Sequence, residues 1–218
     1  MAKTGHQGRK GRGANASPQF GRRDCPVAAT IRAVTGGVIV WQRLDEPGFE
    51  WCSVQPLGGG GRRIEGVALV ALERVPRRVD YTIEVDEGGR TRRAAIRSAG
   101  AGTHQSLELE ANGAGAWRRN DAVIIDSPDC LDIDLGFSPV TNSLPIWRLG
   151  LAPGDSREIR VAWVLFPSLE VVEGRQTYER LGEATWRYRS AGFEADLTVG
   201  SDGLVDDYAG YWRAIARG

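Results

Sequence analysis

The feature that most constrains this chain is an alternation of apolar and polar residues with a period of two. In Val79–Val85 every second residue is apolar, and Gly88-Gly89 then turns the chain into Thr91–Arg97. The alternation returns in Trp186–Arg189 and in Phe193–Val199. A period of two places neighbouring side chains on opposite faces of a β-strand. The sequence therefore predicts antiparallel strands joined by short turns.

Other short apolar runs between turn signals predict further strands. These are Val38–Gln42, Glu50–Val54, Val67–Leu72, Leu107–Leu109, Val123–Asp126, Ile159–Phe166 and Leu169–Val172. A helical pattern is confined to the C-terminal segment, where Tyr208, Trp212 and Ile215 are spaced to share one face after a capping Asp206 or Asp207. Large sheets curl to protect their edges, and wide barrels leave room for a ligand. The predicted fold is all-β, a large curled antiparallel sheet forming an open or half-open barrel, with a short C-terminal helical or irregular segment.

Basic charge is concentrated at the N-terminus. Residues 1–26 hold six Lys/Arg against one acidic residue and lack periodic apolar positions, whereas the remainder holds 22 Lys/Arg against 27 Asp/Glu. This pattern predicts a disordered basic tail over 1–26 and a single domain over 27–218. We expect no nucleic-acid partner for the body of the chain.

The cysteines and the apolar runs bear on localisation. Cys25, Cys52 and Cys130 are widely spaced, which favours a reducing compartment. No apolar run has the length of a transmembrane segment or follows the basic residues as in a secretory signal. We therefore expect a cytoplasmic protein without a transmembrane segment.

Metal and cofactor chemistry is not indicated. His104 is the one histidine beyond the tail, and it has no cysteine or carboxylate at a metal-ligand spacing. The glycine run Gly58–Gly61 lacks the Lys-Ser/Thr of a phosphate-binding loop. We therefore expect no metal and no cofactor.

Two aspartates raise the question of catalysis. Asp132 and Asp134 alternate with aliphatic residues, so both leave one face of a strand, roughly 6.5–7 Å apart. That separation is close to the one used by inverting glycosidases, but a catalytic pair faces its substrate from two sides. We assign no catalytic residue. Binding without chemistry is favoured, and a carboxylate-dependent hydrolase acting on a glycan or glycolipid stays open as an alternative.

Aromatic residues beside arginines indicate a binding surface. Trp147-Arg148 and Trp186-Arg187 each place an indole next to a guanidinium, and Tyr188 shares the face of Trp186. Flat rings with a few fixed donors are typical of ligand pockets. The alternative, Trp in the core and Arg at the surface, also remains open.

The stretch DCLDIDLGFSPVTNSLPIWRL, residues 129–149, resembles the putative glycolipid-binding family of bacteria. Further residues that carry the resemblance are YTIEVD (81–86), TRR (91–93), GAWRRN (115–120), QTYERL (176–181), FEADLTV (193–199) and DGLVDDY (202–208). The resemblance spans about residues 38–213. It implies a half-open antiparallel barrel like that of bacterial lipid-carrier proteins and a lipid or glycolipid ligand. It implies no catalytic residues.

Within this stretch we interpret 132–135 as a strand, 136–145 as a turn-rich corner and 146–149 as the start of the next strand. The corner either locks the barrel or forms the rim of its mouth. For a rim, the candidate ligand-binding residues are Asp132, Asp134, Asn142, Trp147, Arg148, Trp186 and Tyr188. The resulting hypothesis is non-catalytic binding of an amphiphile, with the hydrolase and a protein-interaction module at the open barrel edge as alternatives.

Overall fold

The computed structural model describes residues 36–218, so the predicted basic tail, 1–26, lies outside the described residues. The described residues form fifteen strands, one α-helix and a 3-10 turn at Gly58–Gly60. The strands are β1 (Gly37–Arg43), β2 (Gly48–Pro56), β3 (Arg62–Leu72), β4 (Val75–Val85), β5 (Thr91–Gly100), β6 (Thr103–Ala111), β7 (Ala116–Arg119), β8 (Ala122–Asp126), β9 (Cys130–Leu135), β10 (Ser156–Val164), β11 (Val171–Arg180), β12 (Thr185–Ser190), β13 (Phe193–Val199), β14 (Val205–Tyr208) and β15 (Trp212–Arg217). The helix α1 spans Val140–Leu149, between β9 and β10.

All fifteen strands belong to one sheet, in the order β8-β7-β6-β5-β4-β3-β2-β1-β15-β14-β13-β12-β11-β10-β9. Two meanders, β1–β8 and β10–β15, meet where β1 pairs with β15, and neighbouring strands are antiparallel except β9 and β10. The alternation in 79–85 and 193–199 lies within β4 and β13, where inward positions are buried. The prediction of a large antiparallel sheet is confirmed, with β9–β10 as a parallel pair that the sequence did not indicate.

The two edge strands of the sheet follow each other in sequence, and this forces the sheet to curl. Fourteen strand spacings would make a flat sheet roughly 65–70 Å wide. The linker Ser127–Asp129 between β8 and β9 can span only about 14 Å. The edges must therefore lie close together, so the sheet is rolled up.

We call the line along which the two edges of the sheet meet the seam. Hydrogen bonds that involve side chains connect the two sides of the seam, in place of a main-chain ladder. Trp117 Nε1 donates to the Cys130 carbonyl at 2.8 Å, and Ile133 N donates to Thr91 Oγ1 at 3.3 Å. β8 and β9 are not paired in the sheet order. The structure thus has the half-open barrel form predicted from the sequence.

Helix α1 corrects the interpretation of 136–145 as a corner and 146–149 as the start of a strand. Because β9 and β10 are parallel, their connection must cross over, and a helix is the usual crossover. The helix ends at Gly150, which adopts the left-handed conformation (φ 56°), and Arg148 stands in its last turn. Residues 140–147 are all buried. Ser, Asn and an internal Pro145 are poor helix formers, so tertiary contacts outweigh local propensity here.

The helix fills the inside of the rolled sheet. Val140, Leu144 and Trp147 belong to the larger apolar core, formed mainly by β1–β9, and Ile146 belongs to a second core, which includes Tyr178 of β11. A helix that contributes to both cores lies between the two walls of the roll. The concave side is consequently occupied by the helix, which packs against both walls.

The C-terminal segment also differs from the prediction, because it forms two strands, β14 and β15, instead of a helical or irregular piece. Gly210, at φ 81°, allows the turn between them. Trp212 is buried whereas Ile215 is exposed, so the two do not share one apolar face. Pairing of β15 with β1 supplies the hydrogen bonds that a helix would have made internally.

A buried ion pair fastens α1 to the sheet. Arg148 Nε lies 3.1 Å from Asp132 Oδ1 and Arg148 Nη2 lies 2.5 Å from Asp132 Oδ2. Burial raises the pKa of the Asp132 carboxyl, and the hydrogen bonds and charge of Arg148 oppose that rise. Both carboxylate oxygens are satisfied by one guanidinium in a fork geometry.

We expect Arg148→Met to lower the free energy of unfolding by about 3–5 kcal/mol, because it leaves the Asp132 charge buried without a partner. The double variant Asp132→Leu/Arg148→Met should lose much less, since it removes both charges. Urea unfolding of the two variants and wild type measures this. Equal losses in the single and double variants would contradict the ion-pair role.

Candidate functional site

A pocket of about 340 Å³ opens between the first turn of α1, the end of β9 and the turns that join β12–β13 and β14–β15. Its lining combines aromatic rings with polar side chains. The lining residues are Arg43, Asp45, Asp134, Leu135, Gly136, Ser138, Asn142, Trp163, Tyr188, Ser190, Ala191, Phe193, Tyr208, Tyr211 and Trp212.

One side of the pocket is an aromatic wall, Tyr188, Phe193, Tyr208 and Tyr211. Successive ring centroids lie 5.2 Å apart for Phe193 and Tyr211 and 5.5 Å apart for Tyr208 and Tyr211. Tyr188 lies 6.1 Å from both Phe193 and Tyr208. Such edge-to-face packing fixes the rings, so the wall presents a preformed apolar surface.

The opposite side is polar and begins at Asp134. Thr141 Oγ1 donates to Asp134 Oδ1 at 3.3 Å, and Gln176 Nε2 donates to Oδ2. Burial raises the pKa of Asp134 to about 6, against the lowering effect of these two hydrogen bonds. The carboxyl is therefore ionised at neutral pH and changes charge in a mildly acidic solution.

A directed hydrogen-bond chain ends on Asp134. Asn142 Nδ2 donates to Tyr178 Oη at 3.0 Å, and Tyr178 Oη donates to Gln176 Oε1 at 3.3 Å. Gln176 Nε2 in turn donates a hydrogen bond to Asp134 Oδ2. Each member except the carboxylate uses a donor within the chain, so Asp134 is the terminal acceptor. This arrangement holds Asn142 and Asp134 in fixed orientations at the pocket.

A second carboxyl, Glu50 of β2, lies directly behind Ser138. Ser138 Oγ donates to Glu50 Oε1 at 2.6 Å, and the Tyr81 hydroxyl donates to the same oxygen. Oε2 is buried without a hydrogen-bond partner among the described residues. Burial raises the pKa of Glu50 to about 8, with the two hydrogen bonds acting in the opposite sense. Glu50 is therefore mostly protonated at neutral pH.

The structure separates the seven residues predicted from the sequence. Asp134, Asn142 and Tyr188 line the pocket. Asp132 and Arg148 pair near the C-terminal end of α1, where Arg148 faces a more polar cavity of about 600 Å³ with Arg157 and Arg160.

The two tryptophans occupy structural positions away from the pocket. Trp147 Nε1 donates to the Asp202 carbonyl at 2.8 Å, and the Arg62 guanidinium lies 4.9 Å from its ring centroid. Trp186 is buried in the smaller core, with the Arg180 guanidinium 5.6 Å from its ring centroid. Both tryptophans are therefore buried, as in the alternative of Trp in the core and Arg at the surface. Arg187 is partly exposed and pairs with Asp196, whereas Arg148 is largely buried against Asp132.

Sequence reasoning missed several pocket residues. Tyr208 and Tyr211 were hidden because the segment was interpreted as helical, and Trp212 lines the pocket only through the pairing of β15 with β1. Glu50, behind the pocket, could have been recognised from the sequence. It shares the inward register of β2 with Cys52 and Val54, where a carboxyl is unexpected.

Within residues 36–218, no helix has the length and apolar character needed to cross a membrane. In the same part of the chain, no three His, Cys, Asp or Glu side chains come together as a possible metal-ligand set.

Fold and pocket together define an open, barrel-like β-protein with a helix inside and a mixed aromatic and polar pocket. The chain belongs to the putative glycolipid-binding family, whose sequence model matches residues 38–214. The resemblance inferred from the sequence is thereby confirmed.

Two solved structures are similar. A crystal structure of a DUF1089 family protein from Pseudomonas aeruginosa is 32% identical, with a TM-score of 0.67 over 76% of this chain and 92% of that chain. A β-barrel-like protein of the DUF1849 domain from Brucella abortus is 9% identical, with a TM-score of 0.49 over 84% of this chain and 96% of that chain. No curated protein matches the chain.

We expect Glu50→Gln to remove a pH-dependent loss of stability. The pKa of Glu50 is about 8 in the folded protein against an ordinary 4.5, so the folded state retains a proton that the unfolded chain releases. The contribution of Glu50 to the free energy of unfolding is fully present below about pH 4.5 and is lost as the pH rises through 8. Thermal melts at pH 5 and pH 9 should show a drop in wild type that the variant largely lacks. The exposed control Glu108→Gln should behave as wild type.

Proposed function

We propose that this protein binds the head group of an amphiphile, a glycolipid or related lipid, in the aromatic-walled pocket, without chemistry. The family to which the chain belongs supports a binding role. The observation that carries the proposal is the meeting of four rings with Asp134 and Asn142 in one pocket.

The lining suits a sugar-like head group. Sugars present an apolar face of C–H groups, which packs on flat rings, and a rim of hydroxyls, which need fixed donors and acceptors. The aromatic wall supplies the first requirement. Asp134 accepts from hydroxyls, and Arg43 at the pocket lining, whose Nε and Nη2 bind Asp45, keeps further guanidinium donors.

The size of the pocket favours a head group over a whole lipid. Its volume of about 340 Å³ is at the lower end of ligand pockets. Helix α1 packs into the concave side of the sheet with residues 140–147 buried, so we expect the acyl chain to stay outside the roll. In this proposal the chain of the amphiphile points out of the pocket mouth.

Short-chain alkyl glucosides, used below their micelle concentration, provide the test. Trp163 and Trp212 line the pocket, so binding should change intrinsic fluorescence saturably. Tyr211→Ser removes one exposed ring of the wall and should weaken binding by about tenfold, the effect of losing one ring contact. The control Leu181→Ser removes an exposed apolar residue that is not in the pocket lining. Identical titrations of both variants and wild type would contradict the proposed site.

Affinity should depend on pH through Asp134. The carboxyl ionises as the pH rises through about 6, and an ionised acceptor makes stronger hydrogen bonds to hydroxyls. Glucoside binding should tighten by roughly fivefold to tenfold between pH 5 and pH 7. The isosteric Asp134→Asn should bind with a pH-independent affinity near the pH 5 value. A wild-type affinity that falls over this range would contradict the role of Asp134.

The hydrolase alternative is favoured by one observation, the raised pKa of Asp134, which suits an acid or base near pH 6. Asp132 does not supply the second carboxylate, because it is engaged by Arg148. Release of free glucose from the glucosides, abolished in Asp134→Asn, would establish hydrolysis in place of simple binding.

A further inference from the structure

Large apolar side chains are exposed on the outer surface of neighbouring strands in the middle of the sheet. On β2 the inward residues are buried, whereas Phe49 and Trp51 point outward and are 50% and 42% exposed. Leu69 of β3, 54% exposed, lies opposite Phe49 in the register. We call the surface formed by Val40, Phe49, Trp51, Val67, Leu69 and Ile215 the apolar face.

The register makes the apolar face continuous. Trp51 stands between Val40 of β1 and Val67 of β3, and Val40 in turn pairs with Ala216 of β15. Ile215, 51% exposed, lies at the bulge beside that pair. Side chains at paired positions on one face of a sheet are in contact range. The exposed residues therefore form one patch across β15, β1, β2 and β3.

This patch contrasts with much of the outer surface of the described sheet, although Val123 and Ile124 of β8 are also exposed apolar residues. Elsewhere that surface carries Arg–Asp and Arg–Glu pairs along and across the strands, which keep it polar. Examples are Arg63–Glu84, Arg93–Glu110, Arg175–Glu158, Arg187–Asp196 and Arg189–Glu194. Large apolar patches on soluble domains mark contact surfaces. The apolar face is accordingly a candidate interaction surface.

The apolar face adjoins the mouth of the pocket. Phe49 pairs with Gln42, and the next residue of β1, Arg43, lines the pocket. Leu44, 40% exposed, donates its backbone N–H to the carbonyl of Tyr211, which belongs to the aromatic wall. Exposed apolar groups therefore run from the pocket rim onto the outer surface.

We infer that the apolar face docks on the surface of a lipid bilayer and brings the pocket mouth to the ligand. This inference rests on the proposed function, because an amphiphile resides in a membrane and its chain must leave the pocket into apolar surroundings. Charge at the patch supports a neutral bilayer. The flanking Arg78 and Arg213 are each paired, with Asp80 at 2.6 Å and Asp207 at 3.1 Å. Aromatic and aliphatic insertion, instead of attraction to anionic lipid, supplies the binding.

The test measures flotation of the full chain with neutral phosphatidylcholine vesicles, which also minimises any contribution from the basic residues of 1–26. The variant Phe49→Ser/Trp51→Ser should reduce the vesicle-bound to free ratio by about tenfold or more, given the apolar area removed. The matched control Val123→Ser/Ile124→Ser removes two similarly exposed apolar residues from edge strand β8. It should float as wild type does. Circular dichroism of each variant verifies that the fold is kept.

Two further measurements separate this inference from the proposed function. The Phe49/Trp51 variant should bind the short-chain glucoside as wild type does, and Asp134→Asn should float as wild type does. Glucoside binding without any flotation would overturn the docking inference and leave the pocket proposal standing. Flotation without glucoside binding would overturn the pocket proposal and leave bilayer docking standing.

Light scattering decides whether a second copy of the chain covers the apolar face instead. A wild-type dimer that the Phe49/Trp51 variant converts to a monomer, with no flotation of either protein, would overturn the bilayer assignment. Equal loss of flotation in the patch variant and in the β8 control would overturn it too, since the effect would then be unspecific. Monomeric wild type that floats, with loss only in the patch variant, is the expected result.

Discussion

The short linker between β8 and β9 is the constraint on which the rest of this structure depends. It joins opposite edges of a fifteen-stranded sheet with three residues, so the sheet must roll until those edges meet. Rolling creates a concave side, and the parallel pairing of β9 with β10 then requires a crossover that passes over that side. Helix α1 is this crossover. The rolled sheet and the parallel pair place the helix inside the roll. The helix propensity of its own sequence contributes little to this position.

A helix placed in this way buries polar groups, and the structure satisfies nearly all of them. Thr141, Asn142 and Ser138 each bond to a strand or to the helix start, and Arg148 neutralises Asp132. Among the described residues, Ser143 Oγ of α1 and Oε2 of Glu50 are buried here without a partner; the Glu50 carboxyl is mostly protonated at neutral pH, so it carries little buried charge. Polar groups that anchor α1 and polar groups that line the pocket thus belong to one network. Asp134 and Ser138 take part in both, because they line the pocket and also hold α1 in place, so we expect a change at either to affect stability as well as the pocket.

The sheet could be predicted from the sequence, whereas the helical connection between β9 and β10 could not, for a physical reason. Alternation is a local property, so β4 and β13 could be recognised from their own residues. The state of 140–149 is decided by two strands that pair in parallel, which no local pattern reveals. The same distinction holds for the site. Local chemistry singled out Asp134, Asn142 and Tyr188, whereas Tyr211, in the turn between β14 and β15, reaches the pocket through the long-range pairing of β15 with β1.

The ladder between β1 and β15 has a consequence for folding. Ile39 pairs with Arg217 there, whereas the other ladders, apart from the crossover pair, join strands adjacent in sequence. The entropic cost of closing a loop grows with the length of the loop, so this ladder has the largest loop-closure cost in the sheet. Long-range pairings of this kind slow folding, whereas each meander can form from local contacts. Until the ladder closes, β1 and β15 are unpaired edges beside exposed Trp51 and Ile215, an arrangement that favours association between incompletely folded chains.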